Sequence, residues 1–441
     1  MQMKVLKVQR AEKQVENATD RQERISGWRQ DRVAEGRVLV LGAGALGNEV
    51  TKNLALMGIG YLLIADMDHI SVSNLSRAVF FDKNDVLEKR SKAEVVAKRA
   101  QALNVTKDAF AHTLQGDIVW QLGGGVFRRV DVVLGCLDNV EARMKANAQC
   151  LLTNTPFIDG GILGLAGTVT AVHPPSTACW ECTTSTNERE NAASRYDSCS
   201  RVMLLDIQSG RLPTVQVASS IIAGFQAQEA VKILQKQEWA AGCLIQYDSS
   251  LPRPYLDVLT ISRRPDCWCN AAKPIEQVTE LPLSANHNTL QDLLSSLLQQ
   301  GYADPQIALP APLVVARHCV KCQRQKTVLR PNFLLDTTVL QCNFCGAEGN
   351  EWIRLLTVES TDGEDFEKVK RGVKIENALE LRNQMMGFTL ANLGFPPLAL
   401  VHFSNENNRN FFNRVAELSA DAAQVMGSEQ FTSIRSRTAL L

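Results

Sequence analysis

Glycines and charged residues with the chemistry of a phosphate site follow the apolar run from Val38 to Leu41. The run has the length and composition of a buried parallel strand, and a G-x-G-x-x-G pattern that leads into a helix comes directly after it. The glycines of that pattern are Gly42, Gly44 and Gly47. Glycines at such a turn allow the backbone to approach a phosphate group at the helix N-terminus. A second strand, from Tyr61 to Ala65, delivers Asp66 at the place where an acid can accept ribose hydroxyl groups.

Further polar side chains beyond the second strand indicate a nucleoside triphosphate rather than a dinucleotide. They are Asp68, Asn74, Arg77 and Lys92. A triphosphate needs cations and an amide around it because negative charge builds on the phosphates during transfer, whereas NAD needs no such cluster. Two alternatives stay open from these residues alone: glycines at a tight turn without a ligand, and an NAD-dependent oxidoreductase.

The composition is that of a globular chain with more than one domain. Its 441 residues exceed a domain of about 100 to 200 residues, and 45% of them are apolar, which is enough to build a core. Lys plus Arg and Asp plus Glu both number 47, so no nucleic-acid partner is expected. The charged N-terminus lacks the apolar core of a signal peptide, and no apolar run is long enough for a membrane helix. A cytoplasmic protein without a membrane partner is therefore expected.

Four motifs, in chain order, give the sequence a family resemblance. They are GAGALG from Gly42, DMDHISVSNLSR from Asp66, RSKAEV from Arg90 and CLDN from Cys136. Together they resemble the adenylating domain of the ubiquitin-activating-enzyme superfamily, which includes the ThiF and MoeB adenylyltransferases for sulfur-carrier proteins. The resemblance implies a Rossmann-like, doubly wound α/β sheet over residues 36–270, preceded by a helical segment over residues 1–35.

The resemblance also implies a role for each matching residue. It assigns the ribose to Asp66 and magnesium to Asp138, and it assigns phosphate contacts to the amide and cationic side chains between them. The implied nucleotide-binding set is Gly42, Gly44, Gly47, Asp66, Asp68, Asn74, Arg77, Lys92, Asp138 and Asn139. From the residues alone, Asp138 can instead be read as the start of an Asx turn that caps a helix.

Two positions depart from the family pattern, and neither departure removes a charged contact. Ala78 stands where a glutamine is usual, and Ser91 stands where a proline is usual.

The N-terminal segment contributes a further candidate. Arg21 and Arg24 resemble an arginine pair of the family, in which the second arginine reaches the nucleotide of the opposite subunit. The resemblance therefore implies an arginine finger at Arg24 and a homodimer. A solvated helix face is the alternative interpretation of the same residues.

The 12 cysteines include two sets with the spacing of metal ligands. The first set pairs a C-x-x-C with a distant C-x-C: Cys179, Cys182, Cys267 and Cys269. Related enzymes have C-x-x-C in both places, so the shorter pair strains the chelate without preventing it. The second set has zinc-ribbon spacing within residues 317–347: Cys319, Cys322, Cys342 and Cys345. Both are predicted to be structural zinc sites, because four thiolates leave no open position for water.

A long polar stretch after the first cysteine pair contains Cys199. Long segments without a strand pattern are typical of functional or disordered loops. The resemblance identifies residues 183–213 as a crossover loop, which carries the nucleophilic cysteine in the branch that forms thioesters. Arg195 and Arg201 flank Cys199 and could stabilise a thiolate. An incidental loop cysteine is the alternative.

Residues 271–441 lie outside the resemblance and are predicted to form a smaller α+β module that contains the zinc ribbon. A ubiquitin-like β-grasp fold is one expectation, because activating enzymes that serve a conjugating enzyme often end in such a domain. Residues from 405 onward are predicted to be helical and then frayed.

Three functions follow from these observations. The first is ATP-dependent adenylation of the C-terminal carboxylate of a ubiquitin-like protein, then thioester formation on Cys199 and transfer to a conjugating enzyme. Its implied catalytic residues are Arg24, Arg77, Lys92, Asp138 and Cys199, and its cofactors are ATP, Mg²⁺ and two structural Zn²⁺ ions. The second is adenylation of a sulfur-carrier protein without an enzyme thioester. The third is an inactive scaffold, against which the retained phosphate ligands count.

Overall fold

The computed structural model contains two units, each built around its own β-sheet. It describes residues 17–106, 108–184, 214–250, 252–335, 341–349, 353–360, 376, 378–404 and 414–419. The first sheet lies within residues 37–260 and the second within residues 279–419. The predicted boundary at residue 270 falls between the two sheets, while the outer limits of each domain stay a prediction.

The first sheet has eight strands in the order β3-β2-β1-β4-β5-β6-β7-β8. The strands are β1 Arg37–Leu41, β2 Tyr61–Asp66, β3 Phe110–Gln115, β4 Val132–Gly135, β5 Phe157–Leu163, β6 Ala166–Val172, β7 Cys243–Asp248 and β8 Tyr255–Thr260. In this order, the five strands from β3 through β2, β1 and β4 to β5 pair in parallel, and the strands from β5 to β8 pair antiparallel. The predicted Rossmann-like α/β fold is therefore confirmed, with an antiparallel extension on one side.

Helices cover both faces of this sheet. They are α1 Asp20–Glu23, α2 Gln30–Ala34, α3 Ala45–Met57, α4 Lys83–Leu87, α5 Lys92–Leu103, α6 Gly124–Arg128, α7 Val140–Thr153 and α8 Gln216–Leu234. Successive side chains of a strand point to opposite faces, so Val38 and Val40 join the core under α3, α5 and α8. Leu39 and Leu41 join the opposite core, under α6 and α7. The continuous apolar run of β1 follows from this double burial. None of the described helices combines enough length with enough apolar character to cross a bilayer.

The second sheet has six strands in the order β11-β10-β13-β14-β9, and β12 also pairs with β10. The strands are β9 Thr279–Ser284, β10 Gln306–Cys319, β11 Gln325–Pro331, β12 Ile353–Ser360, β13 Leu400–Ser404 and β14 Arg414–Ser419. Its longer helices are α9 Leu290–Gln299 and α10 Ala378–Met386. The unit is α+β, as predicted, and β9 leads directly into α9. Its assignment as a β-grasp fold stays a prediction.

Strand β14 corrects a prediction about the end of the chain. A helix was predicted from residue 405 onward, whereas Arg414–Ser419 form a strand between β13 and β9. The prediction was wrong because Ala416 and Leu418 are buried by strands from distant parts of the chain, which a local pattern does not show. The rest of the segment predicted to be helical and then frayed, residues 405–413 and 420–441, lies outside the described residues.

The two units interlock at the turn before α6. The N–H of Gly125 donates to the carbonyl of Leu398 at 2.9 Å, and a Cβ at Gly123 would lie 2.2 Å from the carbonyl oxygen of Pro397. Leu398 is buried in the core beneath α6 and α7. Arg128 and Arg129 both form ion pairs with Glu417, which is only 2% exposed. The second unit is thus joined to the first unit at α6 and the residues on either side of it.

Candidate active site

The carboxyl ends of three adjacent parallel strands bring the predicted nucleotide residues together. Strand β1 ends before Gly42, β2 ends at Asp66, and β4 ends shortly before Asp138. These strands are neighbours in the order β2-β1-β4, so the three segments lie at one edge of the sheet. This is the edge at which open α/β sheets bind their ligands.

Backbone geometry and packing require glycine at two of the three motif positions and do not require it at the third. Gly42 has φ +94°, and a Cβ there would lie 2.4 Å from the carbonyl oxygen of Cys136. At Gly47 a Cβ would lie 1.9 Å from the carbonyl oxygen of Gly42. At Gly44 a Cβ would have no described protein atom within 4 Å, so packing does not demand glycine there. The open space beside Gly44, before α3, has the form of a cradle for a ligand that approaches the backbone.

Asn48 holds the glycine turn, and the sequence reasoning missed it. Its side-chain N–H groups donate to the carbonyls of Ala43 at 2.8 Å and Gly44 at 2.9 Å, and its Oδ1 accepts from the N–H of Phe80 at 2.9 Å. Asn48 is fully buried. Its position one residue after the motif was the only signal for this role.

Asp66, Asp68 and Lys92 form a linked network. Asp66 accepts one backbone N–H at each oxygen, from Ala43 and from Asp68, both at 2.7 Å. Lys92 Nζ lies 2.8 Å from Asp68 Oδ2, and this ion pair brings the lysine to the same edge. Burial raises the pKa of the Asp66 carboxyl, and the charge of Lys92 opposes that shift. Asp66 is therefore held rigidly while keeping further acceptor capacity for a hydroxyl donor.

Asn74 and Arg77 lie in the segment after β2, but their side chains have protein partners. Asn74 is buried, and its Oδ1 accepts from the N–H of Ser71 at 2.9 Å. Arg77 Nη1 donates to the hydroxyl of Thr214 at 2.6 Å. Asn74 thus shapes the segment, while Arg77 has further donors for a phosphate. The family departure at Ser91 has a local explanation, because Ser91 is the N-cap of α5 and accepts from the N–H of Glu94.

Asp138 is exposed, and its neighbour performs the capping role. Asn139 Oδ1 accepts from the N–H of Ala142 at 2.8 Å and so caps α7. The alternative interpretation of Asp138 as the helix cap is therefore wrong. Among the described residues, the Asp138 carboxylate has one hydrogen bond, from Asn139 Nδ2 at 3.3 Å, and it faces a cleft.

That cleft has a volume of about 360 Å³. Its lining includes Asp138, Arg143, Thr168, Thr170, Trp180 and Leu244. Thr168 and Thr170 come from β6, and Leu244 comes from β7, so its floor is the antiparallel part of the sheet. The cleft starts beside the acid and extends away from the glycine turn. It can admit an extended chain, and its hydroxyl groups can accept or donate hydrogen bonds.

Arg143 and Asp159 form an ion pair at the cleft that sequence reasoning did not predict. Arg143 Nη1 lies 2.5 Å from Asp159 Oδ2, and Nη2 donates to the carbonyl of Gly160 at 3.1 Å. The guanidinium lies 5.9 Å from the centre of the Trp180 ring. Burial raises the pKa of Asp159 to about 6, and the charge of Arg143 opposes the shift. Only the folded chain brings these residues together, because they come from α7 and β5.

The first cysteine set forms one compact, buried cluster, as predicted. Its Sγ–Sγ distances include 3.5 Å for Cys179–Cys267, 3.7 Å for Cys182–Cys269 and 3.9 Å for Cys179–Cys182. Four thiolates at about 2.3 Å from a tetrahedral zinc ion would be about 3.8 Å apart. The cluster therefore fits zinc even though one pair has C-x-C spacing.

The second cysteine set also forms a cluster. Its Sγ–Sγ distances are 3.6 Å for both Cys319–Cys345 and Cys322–Cys342. A hydrogen bond from the N–H of Phe344 lowers the pKa of Cys342 to about 6. At Cys322 the N–H of Arg324 lowers the pKa, but burial and the neighbouring thiols outweigh it and raise the pKa to about 11, so the pKa shifts alone do not favour four thiolates. In each cluster four cysteines could fill a tetrahedral shell, and this favours structural rather than catalytic zinc.

The first unit is the part of the chain that matches a known protein family. A model described as the ThiF family matches residues 16–269. This chain belongs to the ThiF family. The family match ends before the second sheet, so ThiF-family membership describes the first unit and leaves residues 270–441 unassigned.

Relatives of this ThiF-family chain include two kinds of enzyme. The sulfur carrier protein ThiS adenylyltransferase of Escherichia coli (strain K12) is 31% identical over 220 residues, which cover 50% of this chain and 80% of that protein. SUMO-activating enzyme subunit 2 of Dictyostelium discoideum is 35% identical over 153 residues, covering 34% of this chain and 22% of that protein. The NEDD8-activating enzyme E1 catalytic subunit of Caenorhabditis elegans is 37% identical over 160 residues, covering 33% of this chain and 36% of that protein. The chain thus spans well under half of the two activating-enzyme subunits.

Two candidates from the sequence are not among the residues that the structure shows at the site. Cys199 lies outside the described residues, as does the crossover loop from residue 185 to residue 213. Arg24 follows α1, its side chain is 64% exposed, and Nη2 lies 2.7 Å from Asp20. Its role as an arginine finger stays a prediction.

Proposed function

We propose that this protein is an ATP-dependent adenylyltransferase that activates the C-terminal carboxylate of a small carrier or ubiquitin-like protein. The observation that carries the proposal is the convergence of the open backbone at Gly44, the Asp66–Lys92 network and the exposed Asp138 at one edge of the sheet. An adenylating enzyme needs a phosphate cradle, a ribose acceptor and a path for a carboxylate. This edge would supply all of these within one site.

Each part of the nucleotide has a candidate partner. The backbone beside Gly44 would contact phosphate at the start of α3, and Asp66 would accept a ribose hydroxyl. Arg77 and Lys92 would offset charge on the phosphates, because fixed cations stabilise the negative charge that develops there. Lys92 would exchange part of its contact with Asp68 for a phosphate oxygen.

The cleft beside Asp138 would take the C-terminal tail of the protein substrate. Its volume of about 360 Å³ suits an extended tail, which Thr168 and Thr170 would hold by hydrogen bonds. The tail carboxylate oxygen would attack the α-phosphorus of ATP. A new oxygen–phosphorus bond forms, the bond from that phosphorus to the bridging oxygen breaks, and pyrophosphate leaves. The product is an acyl-adenylate.

We expect a magnesium ion to be a cofactor of this reaction, and the residues of the site fit one. The carboxylate of Asp138 is exposed at the edge where the phosphates would lie, and Mg²⁺ is commonly bound by one or two carboxylates together with substrate phosphates. Bound there, the ion would neutralise charge on the phosphate oxygens. Asn139 would contribute by capping α7 and so fixing the Asp138 backbone.

The fate of the acyl-adenylate distinguishes the two forms of the proposal. In the first, Cys199 attacks the acyl carbon, AMP leaves, and the resulting thioester passes to a conjugating enzyme. In the second, the adenylate is consumed by a sulfur donor without a thioester on this enzyme. The SUMO- and NEDD8-activating relatives support the first form, and the ThiS adenylyltransferase, 80% of which is covered, supports the second.

A homodimer belongs to the same proposal. An exposed Arg24 outside the site can contribute to catalysis only if it reaches a nucleotide on another subunit. Its weak surface pairing with Asp20 would be exchanged for a phosphate contact at little cost.

ATP–pyrophosphate exchange tests the proposal. With E. coli ThiS or a mature SUMO protein as the probe, we expect exchange by the unmodified enzyme and its loss in Asp138→Asn. Asp108→Asn changes an exposed acid that precedes β3, at the opposite end of the parallel strands from the site; it serves as the matched control and should leave exchange unchanged. Absence of ATP binding by calorimetry, or exchange that survives Asp138→Asn, would refute the assignment. Cys199→Ser then separates the two forms, since it removes a thiol-sensitive conjugate only in the first.

A further inference from the structure

The zinc ribbon of the second unit presents a shallow surface groove, about 20 Å³ in volume, that the adenylation proposal does not use. The groove is lined on one side by β10 and β11 and on the other by the segment around Cys342. Its charged and polar lining consists of Arg317, Arg324, Lys326, Gln341 and Asn343, and Phe344 forms one wall. We call this set the ribbon groove. Three cations line it, and no acidic residue does among the residues that the structure describes.

The charge of this region departs from the balance of the whole chain. Residues 305–335 contain five Lys or Arg residues and no Asp or Glu. Arg317 and Lys326 are direct cross-strand partners of β10 and β11, so their side chains share one face of the sheet. The whole chain has no net charge, which is why no nucleic-acid partner was expected, but this region forms a local cationic surface.

The three groove cations lack carboxylate partners within 4 Å in the part of the chain that the structure describes. Other arginines of this protein are paired, as Arg128 and Arg143 show. The Nε of Arg317 is also buried without a hydrogen-bond acceptor among the described residues. A zinc ion with four thiolates would have two net negative charges, so it would offset only part of this cationic charge. The groove thus retains donors that suit an external anion.

An aromatic stack lies beside these cations. The guanidinium of Arg324 lies 5.1 Å from the centre of the Phe344 ring, and Phe344 is 51% exposed. Planar guanidinium and aromatic groups are the surfaces on which unpaired nucleobases stack. Gln341 and Asn343 add amide donors and acceptors at the same place, which suit base edges.

We propose that the ribbon groove binds single-stranded nucleic acid, with Arg317 and Lys326 on phosphates and a base stacked on the Arg324–Phe344 pair. An acidic protein segment would use the cations alone and leave an exposed aromatic ring without a role. A duplex would keep its bases inside the helix and away from the ring. The proposal is independent of the adenylation reaction, and its failure would leave that function untouched.

Fluorescence anisotropy tests the proposal with the full, zinc-loaded chain and a labelled RNA of about 12 nucleotides, which is within the usual site size. If three phosphates are contacted, the plot of log affinity against log salt concentration should have a slope of about −2. Phe344→Leu should weaken binding roughly 5- to 100-fold, because one base loses its stacking surface. Lys326→Gln should make the salt slope shallower by about 0.7. Lys83→Gln and Lys98→Gln, exposed lysines of the first unit, are the matched controls and should change neither quantity.

Three outcomes would overturn the proposal. The first is no binding of labelled RNA or single-stranded DNA at about 50 mM salt, where cationic contacts are strong. The second is equal binding by Phe344→Leu together with efficient competition by poly-glutamate, which would indicate an acidic protein partner. The third is a duplex that binds as well as the single strand. Zinc content is measured for each variant, and Lys326→Gln, which changes neither a cysteine nor the aromatic pair, keeps the test valid if Phe344→Leu loses zinc.

Discussion

Replacing Gly44 by alanine separates the ligand role of the glycine turn from its structural role. Gly44 has φ −74° and is extended, so alanine can adopt this backbone conformation. The added Cβ would meet no described protein atom within 4 Å. We therefore expect Gly44→Ala to fold normally and to bind ATP at least ten-fold more weakly, because the methyl group occupies the space of a phosphate.

The expected change in the free energy of unfolding is the sum of two small, opposing effects of the Gly44→Ala substitution. Alanine restricts the unfolded chain, which stabilises the fold by about 0.4–1 kcal/mol, but it is a poorer N-cap than glycine by a similar amount. The free energy of unfolding should consequently change by less than about 1 kcal/mol. A ten-fold loss of ATP affinity corresponds to about 1.4 kcal/mol. Titration calorimetry with ATP and urea denaturation measure the two quantities on the same preparation.

Gly47→Ala is the matched control in the same turn. Its Cβ would lie 1.9 Å from the carbonyl oxygen of Gly42, so we expect a loss of about 3 kcal/mol or more in stability from overpacking. ATP affinity within two-fold of the parent in Gly44→Ala would refute the phosphate cradle. Equal destabilisation by Gly44→Ala and Gly47→Ala would refute the steric reasoning itself.

Three further predictions concern pH, zinc and the junction of the two units. Burial raises the pKa of Asp159 from 3.8 to about 6, so the folded state holds a proton that the unfolded state releases between these values. Protonation of Asp159 therefore stabilises the fold by about 3 kcal/mol at most below pH 4, and this stabilisation is lost as the pH rises to 6. Urea titrations at several pH values should show that Asp159→Asn lacks this part of the pH dependence. Cys269→Ser should reduce bound zinc, measured by mass spectrometry, from two ions per chain to one, and retention of two ions would contradict the four-cysteine cluster. Glu417→Gln leaves two nearly buried arginines without a countercharge, so chemical denaturation should show a loss of about 3 kcal/mol, and a change below about 1 kcal/mol would contradict this account.

The parts of the site that depend on local sequence could be predicted. The strand–glycine–helix pattern from Val38 and the acid at Asp66 are consecutive features, and the structure has both. The cysteine spacings likewise predicted two clusters of four. These features are encoded within short segments, where periodicity and residue type are sufficient.

The parts that depend on distant segments could not be predicted. The Arg143–Asp159 pair joins α7 to β5, and the amide of Gln226 in α8 donates to the carbonyls of Gly135 and Ile158. Neither partner is visible in a local pattern. Strand β3 was also missed, because polar residues interrupt the apolar ones in its sequence FAHTLQ and it lies at the edge of the sheet.

The interlock at Leu398 affects how the chain can be dissected. Leu398 fills space in the first unit's core although it belongs to the second unit, and it does so with φ +55°, an unusual conformation for leucine. Expressing residues 16–269 alone would therefore open a cavity beneath α6 and α7 and remove the countercharge of Arg128 and Arg129. We therefore expect residues 16–269 expressed alone to be less stable than the same segment within the full chain, and experiments on the chemistry should use the longer polypeptide.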